Sequence, residues 1–287
     1  MRGTKEGTMN RDTIEIFEGS LIQHGKLNNR IYLLKTGNSD VERLITGLDN
    51  LARDKGYTKI FGKIRPDLLP YFISDGFRAE AFIPGFFGGK EDCIIASKFL
   101  DKNRAVADKG ELRKFIELLG NGKNNSKVTA GNNTRFNSHN LQAEDAKAIS
   151  EVFTQVFASY PFPVNDPGYI MQTMENNHSR YFGIKEGNEL IAVSTAETDM
   201  EEKNAEMTDF AVLPRYRGQK LAGQLLSVME EAMKSAGVKT LYTIARLKEP
   251  GMNKTFINAE YRYSGTLVNN TNISGSIESM NIFYKKI

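Results

Sequence analysis

The sequence predicts a mixed α/β (α+β) chain built in two parts, and three observations carry that reading. A helix–glycine–strand order occurs twice, a strand–proline–basic turn–helix passage stands in the second part, and a stretch rich in glycine and asparagine separates the parts. Helix 41–54, Gly56 and strand TKIFGKI (58–64) run parallel to helix 221–235, Gly237 and strand KTLYTIA (239–245). Each is followed by a short helix, a bend at DGF (75–77) or AEY (259–261), and two closing strands. This order reads as a degenerate internal repeat.

The elements follow from local pattern. IYLL (31–34) suits a strand, and 40–54 places Val41, Leu44, Ile45, Leu48 and Leu51 on one helical face behind Asp40 as cap. A short helix over 67–74 follows the 58–64 strand, then AFIPGFF and CIIASKFL form a hairpin around Gly88-Gly89. In 108–119, Leu112, Phe115, Ile116 and Leu119 share a face, a short helix that docks on a domain. Eight of the fifteen residues over 120–134 are Gly or Asn, which favour turns and bury little, so this is read as a linker. Domain bounds are then a disordered or tag-derived tail over 1–10, an amino-terminal α/β domain over 11–119, the linker over 120–134, and a second domain over 135–287. The second domain carries helix 143–158, the turn YPFPVNDPG, a helix near 167–177 and the strands YFGIKE, LIAVSTAETD and AEMTDFAVL. Helix 221–235, strand KTLYTIA, helix 252–259 and an Asn/Ser-rich hairpin complete it.

Composition excludes several function classes. Hydrophobic residues at 40% and charged residues at 25% describe a globular chain rather than a disordered one. A formal charge of +3 implies neither a nucleic-acid nor a membrane footprint. Cys93 is the single cysteine and reads as a small core residue, so no intrachain disulfide forms. His24, His139 and His178 lack metal-ligand spacing, and no metal is expected. No apolar run approaches the ~20 residues of a spanning helix, and the first ten residues hold no apolar signal core. A soluble cytoplasmic protein is expected, with a small-molecule partner and a homodimer left open.

The most informative stretch is AEMTDFAVLPRYRGQKLAGQLL (205–226). A strand ends at Pro214, a turn carries Arg215, Arg217, Gly218 and Lys220, and an amphipathic helix begins at once. Helix amino termini present unpaired N–H groups and positive dipole, so Arg217, Gly218, Gln219, Lys220, Leu221 and Ala222 form a candidate pyrophosphate cradle. A strand–turn–helix with solvated basic residues is the plainer alternative.

This segment resembles motif A of the GCN5-related N-acetyltransferase (GNAT) superfamily, whose turn reads Arg/Gln-x-x-Gly-x-Gly/Ala. Arg215, Gly218 and Lys220 fall on the marked positions, the last departing from the pattern. The elements from 134 to 287 follow the superfamily order. IFEGSLIQHGKLNNRIYLLK (16–35), IPGFFGGKEDCIIASKFL (83–100) and MNKTFINAEYRYSGTLVNNTNISGSIESMNIFYK (252–285) further resemble β-lysine N-acetyltransferases, which acetylate the ε-amine of 3,6-diaminohexanoate to give the compatible solute Nε-acetyl-β-lysine.

The resemblance implies an acetyl-CoA-dependent enzyme with a carboxy-terminal GNAT fold and a degenerate GNAT-like first half lacking its own cofactor site. An amine of pKa ~10.4 must lose a proton to attack. The resemblance puts the general base at Glu206, with an exposed edge carboxylate or an ammonium contact as alternatives. Asp209 is the weaker candidate, on the opposite strand face unless a bulge intervenes. Phe210, Ala211 and Val212 would pair with the pantetheine arm, and an amide there would stabilise the developing oxyanion. Phe256 stands where many members carry a tyrosine acid and cannot donate a proton, so the thiolate leaves unassisted or takes a proton from water. Asn253 is a pantetheine or adenosine contact, or a helix cap. For the acceptor, Tyr160 and Phe162 line a channel or pack in the core, Glu197 contacts an ammonium or is solvated, and Asn269, Asn270, Asn272, Ser274 and Ser276 offer donors or simply form turns. Another amine (α-lysine, a polyamine or a protein lysine) and a non-catalytic acyl-CoA sensor are the competing functions.

Overall fold

The computed structural model describes residues 12–37, 40–124, 136–157, 160, 162–273 and 275–287. Two sheets, each bearing helices, make up the fold.

The first half contains β1 (Thr13–Phe17), β2 (Ser20–Gly25), β3 (Arg30–Lys35), α1 (Val41–Lys55), β4 (Lys59–Ile64), α2 (Leu69–Ser74), β5 (Arg78–Phe87) and β6 (Glu91–Phe99). Its sheet order is β1-β2-β3-β4-β6-β5, with β3 and β4 parallel and the other neighbours antiparallel. Asp40 starts α1 by accepting from the backbone N–H groups of Glu42 at 2.9 Å and Arg43 at 3.3 Å. The helix then buries Leu44, Ile45, Leu48 and Ala52 against Ile31, Leu33, Ile60 and Ile64. The expected hairpin is β5–β6. The strands β1 and β2 are additions that the sequence reading did not assign.

The second half contains α3 (Lys109–Asn124), β7 (Ser138–Asn140), α4 (Ala146–Val156), α5 (Pro167–Glu175), β8 (Ser179–Glu186), β9 (Glu189–Asp199) and β10 (Asn204–Val212). It continues with α6 (Leu221–Ser235), β11 (Thr240–Arg246), α7 (Pro250–Asn258), β12 (Arg262–Ile273) and β13 (Ser276–Lys286). Its sheet runs β12-β13-β11-β10-β9-β8-β7, with β10 and β11 the parallel pair. The run β9-β10-β11-β13-β12 repeats β2-β3-β4-β6-β5 in order and in every pairing sense.

Two expectations about the connection change. The helix read over 108–119 extends to Asn124, so residues 120–124 are helical rather than linker, and 125–135 lie outside the described residues. Phe115 of this helix packs on Tyr263 at 4.9 Å and Phe283 at 6.1 Å, inside the core of the second half. That burial accounts for a helix running through glycine and asparagine: tertiary packing outweighs weak propensity.

The halves join along β5 and β12. A Cβ on Gly265 would stand 2.0 Å from the carbonyl oxygen of Glu80, so only glycine allows this approach. Tyr32, Phe61, Ile83, Phe86, Cys93 and Ile95 from the first half share one core with Tyr242, Leu267, Met280 and Ile282 from the second. Cys93 is the small core residue expected, and burial pushes its thiol up to about 12. Beside this core the fully buried Lys59 donates to Glu80 at 2.8 Å and to the Val268 carbonyl at 2.9 Å, while the Val268 N–H donates to Glu80 at 2.9 Å.

Candidate active site

The strands β10 and β11 pair only over Asn204–Glu206 with Thr240–Tyr242. Beyond that point β10 runs on to Val212 and β11 to Arg246, so the two part into a V-shaped cleft whose apex is the Glu206–Tyr242 pair. Each wall is held by its outer neighbour. β11 stays in register with β13 through Arg246 and Met280, whereas β10 follows β9 across a bulge between Thr208 and Ala211. Asp209 in that bulge has φ of 52°, a left-handed conformation that frees the local backbone from the ladder.

The far wall is fixed from inside. Asn253 is fully buried and donates to the carbonyls of Arg246 at 2.9 Å, Glu249 at 2.8 Å and Leu247 at 3.4 Å, while its Oδ1 accepts from Asn281 at 2.9 Å. It is therefore a backbone clamp, with both amide N–H donors spent and the side chain fully buried. Phe256 is likewise buried among Phe210, Tyr261 and Phe283 and belongs to the core rather than to a cofactor surface. Ala211 is buried, with Phe210 and Val212 partly so, along the near wall.

At the mouth lies the basic turn. Arg215 pairs with Glu189 and stacks 5.1 Å from the Tyr216 ring, which turns its charge toward the β8–β9 side. Arg217 donates from Nε to the Val212 carbonyl at 3.3 Å. Gly218 has φ of 82° with open space around it, so backbone handedness selects glycine here rather than crowding. Lys220, also left-handed at 62°, begins α6 without any side-chain hydrogen bond to the first-turn N–H groups. Leu221 anchors the helix in the core, and Arg217, Gly218 and Lys220 are exposed around those N–H groups. An uncapped, dipole-positive helix terminus ringed by two cations fits a diphosphate.

The apex is acidic. Glu206 lies opposite Glu197 on β9, and the bulge left open for this strand is present and brings Asp209 into the electrostatic reach of both. Burial raises all three carboxyls. Glu197, pressed also by Glu206 and Asp209, moves well above the ordinary range. For Glu206 the rise is opposed by Lys63 and by a hydrogen bond from Tyr242, and for Asp209 by a hydrogen bond from Tyr160. His178 stands 3.9 Å from Glu197, and burial lowers its pKa.

Several predicted contacts resolve differently. The Tyr160 hydroxyl donates to Asp209 and its ring stacks 4.6 Å from Phe157, so it braces the acid cluster rather than lining an aliphatic channel. Phe162 packs with the helices α4 and α5. The Asn269 amide donates to the carbonyls of Arg104 and Val106 at 2.9 Å, and that of Asn272 to Leu27 at 3.0 Å. Asn270 is buried, and its carbonyl accepts from Arg30. These asparagines weld β12 to the first half instead of facing an acceptor. Ser276 opens β13, 3.5 Å from Glu278, and Ser274 lies outside the described residues.

Sequence reading missed Lys63 and Tyr242 at the apex. Lys63 of β4 donates to the Tyr242 hydroxyl at 3.3 Å and sits 5.5–5.6 Å from the rings of Tyr32, Phe86 and Tyr242. The available signal was Lys63 set between Gly62 and Ile64 within a strand whose other charged residue, Lys59, stands at its start. No group of three or more His, Cys, Asp or Glu among the described residues is arranged to hold a metal ion, and no helix there is long and apolar enough to cross a membrane.

Comparison with known proteins adds to this geometry. The profile of the "Acetyltransferase (GNAT) family" matches residues 148–252, the stretch holding the cleft, the turn and α6. The chain is 36% identical over 270 residues to the "Beta-lysine N(6)-acetyltransferase" of Methanococcus maripaludis, covering 93% of this chain and 96% of that one. It is 27% identical over 268 residues to "N-acetyltransferase YodP" of Bacillus subtilis (93% and 96%) and 27% identical over 266 residues to the "Beta-lysine N(6)-acetyltransferase" of Methanosarcina mazei (86% and 97%).

Proposed function

Because the chain belongs to the β-lysine N-acetyltransferase family, within the GNAT acetyltransferases, we propose that it transfers acetyl from acetyl-CoA to the ε-amine of β-lysine. The product is Nε-acetyl-β-lysine, a compatible solute, made in the cytoplasm. The observation that carries this reading is the acidic apex of the β10–β11 cleft, facing an uncapped helix terminus at its mouth.

The chain's own residues divide the work. Arg217, Lys220 and the first-turn amides of α6 hold the diphosphate of coenzyme A. The backbone of Phe210–Val212 lines the arm that carries the thioester, and an amide beside the Asp209 bulge polarises its carbonyl. The acceptor arrives as an ammonium of pKa ~10.4, and Glu206 takes its proton. The freed nitrogen forms a bond to the acyl carbon as the carbon–sulfur bond breaks; the nitrogen gives its second proton to water, the departing thiolate takes one from water, and the proton on Glu206 returns to solvent. Phe256 has none to give. Glu197, protonated in the free enzyme, releases its proton as a second ammonium approaches, so that with Asp209 it suits an acceptor with two ammonium groups. The chain works without a metal, as a monomer or homodimer.

Coenzyme A release with β-lysine, α-lysine, spermidine and a lysine peptide tests the reading. Turnover highest on β-lysine is expected. Turnover on spermidine or the peptide with none on β-lysine would overturn the substrate, and acetyl-CoA binding without turnover on any would favour the sensor.

A further inference from the structure

Lys63 belongs to the first half, on β4, yet its ammonium lies at the apex of a cleft made entirely by the second. A charge placed between two packed sheets is costly unless it is partnered. Its partners are the Tyr242 hydroxyl at 3.3 Å, the Tyr32 hydroxyl and three aromatic rings. Burial opposes the charge, and Tyr242, Tyr32 and Glu206 together outweigh it, so Lys63 remains an ammonium.

An ammonium has only donors, so the Tyr242 oxygen must accept from it, which leaves the phenolic proton to point elsewhere. The direction is set by register: Tyr242 is the cross-strand neighbour of Glu206 and donates to its carboxylate. The groups facing Glu206 from the elements around it are Glu197 on β9, Asp209 on β10, Tyr242 on β11, and Lys63 with Tyr32 from the first half. His178 and Tyr160 stand behind Glu197 and Asp209, one lowered toward neutrality and the other a neutral donor. Lys63 is the cation of this set.

We propose that Lys63 is a positioning residue for acetyl transfer, an ammonium lent by the first half that acts through the Tyr242 hydroxyl to keep the Glu206 carboxylate ionised and aimed at the acceptor amine. The first half then completes the active site as well as bracing it. Three carboxyls crowded together compete for protons, and one that must accept a proton in catalysis needs the nearest positive charge. The inference rests on the acetyl-transfer reading above.

The test is the pH dependence of kcat and kcat/KM for β-lysine in the full chain, for wild type, Lys63→Met, Lys63→Arg and Tyr242→Phe. Lys63→Met should move the acid limb to higher pH by about one unit and so lower the rate about tenfold on the acid side of that limb, with the KM for acetyl-CoA changed less than twofold. Lys63→Arg should recover most of the shift. Tyr242→Phe, which removes one oxygen and keeps the ring, should move the limb in the same direction by less. If Lys63→Met fails to fold, Tyr242→Phe decides. An active wild type whose acid limb is unmoved in the folded variants would overturn the role of Lys63, whereas a wild type inactive on β-lysine would overturn the substrate reading instead.

Discussion

Replacing Glu206 by Gln removes the proposed proton acceptor while keeping an amide oxygen for the Tyr242 hydroxyl. General-base assistance contributes about 10²–10⁴-fold, so turnover on β-lysine at pH 7 should fall by that factor, equivalent to roughly 3–5 kcal/mol on the barrier. The affinity for acetyl-CoA should hold, because the Arg217–Ala222 segment lies at the mouth of the cleft and Glu206 at its apex. The sign of the pH effect follows from burial, which raises Glu206 above the ordinary carboxyl range against the pull of Lys63 and Tyr242. Wild-type kcat/KM should therefore climb through an acid limb lying above pH ~4.3, the value of an unperturbed glutamate. In Glu206→Gln that limb should vanish, leaving activity that rises continuously toward the amine's own pKa near ~10.4, so the deficit narrows at high pH. Coenzyme A release across pH 5–10 reads all of this. Wild-type turnover in Glu206→Gln, or loss of the acid limb in Glu197→Gln instead, would refute the assignment.

Three further outcomes follow from the geometry. Glu197→Gln should raise the KM for β-lysine and stabilise the free enzyme: a carboxyl raised in the folded state holds a proton that the unfolded chain has released, so its stability contribution declines as pH climbs above ~4.3, and a glutamine escapes that decline. Thermal midpoints at pH 5 and pH 8 check it, and a variant less stable than wild type at pH 8 would contradict it. Glu80→Ala leaves Lys59 buried without its anion and the Val268 N–H without its acceptor, at a cost of about 3–5 kcal/mol in denaturant unfolding, and a loss below about 1 kcal/mol would show that water reaches the pair. Gly218→Val forces a β-branched residue into left-handed backbone and should raise the KM for acetyl-CoA by about tenfold, with kcat at saturation little changed. An unaltered KM would remove that turn from the binding site.

What the sequence made legible was local. The turn at 214–220, its helix and Glu206 sit within one short passage, and strand–turn–helix periodicity locates them without tertiary knowledge. The repeat was visible for the same reason, since each copy is a run of helix, glycine and strand. The strands β1 and β2 escaped because the Glu18-Gly19 turn that joins them, with φ of 46° and 72°, carries no Asn-Gly or Asp-Gly signal. Tyr242 and Lys63 escaped because their meeting depends on how two sheets pack: they hydrogen-bond across 179 residues of chain. The asparagines of β12 illustrate the opposite error. Donor-rich composition advertises binding, but composition does not say whether a ligand or a neighbouring carbonyl receives the hydrogen bond, and here Leu27, Arg104 and Val106 receive it.

The two halves share a strand order yet differ where it matters for an anion. In the first, Asp40 sits before α1 and its carboxylate already binds the N–H groups of Glu42 and Arg43, so the positive helix terminus carries its own negative charge. In the second, the equivalent position is Lys220, left-handed and without a side-chain hydrogen bond to the helix, with Gly218 and Arg217 beside it. A diphosphate approaching α1 would have to displace a covalently tethered carboxylate and meet its repulsion, whereas at α6 it meets open donors and two cations. Among the described residues these two helix starts are therefore one closed and one open anion site, and the proposed acetyl transfer draws on the open one. Relieved of that role, the first half is free to face its sheet toward its partner, and the residue it sets there is a cation, Lys63, in a cleft whose other ionisable side chains are predominantly acids.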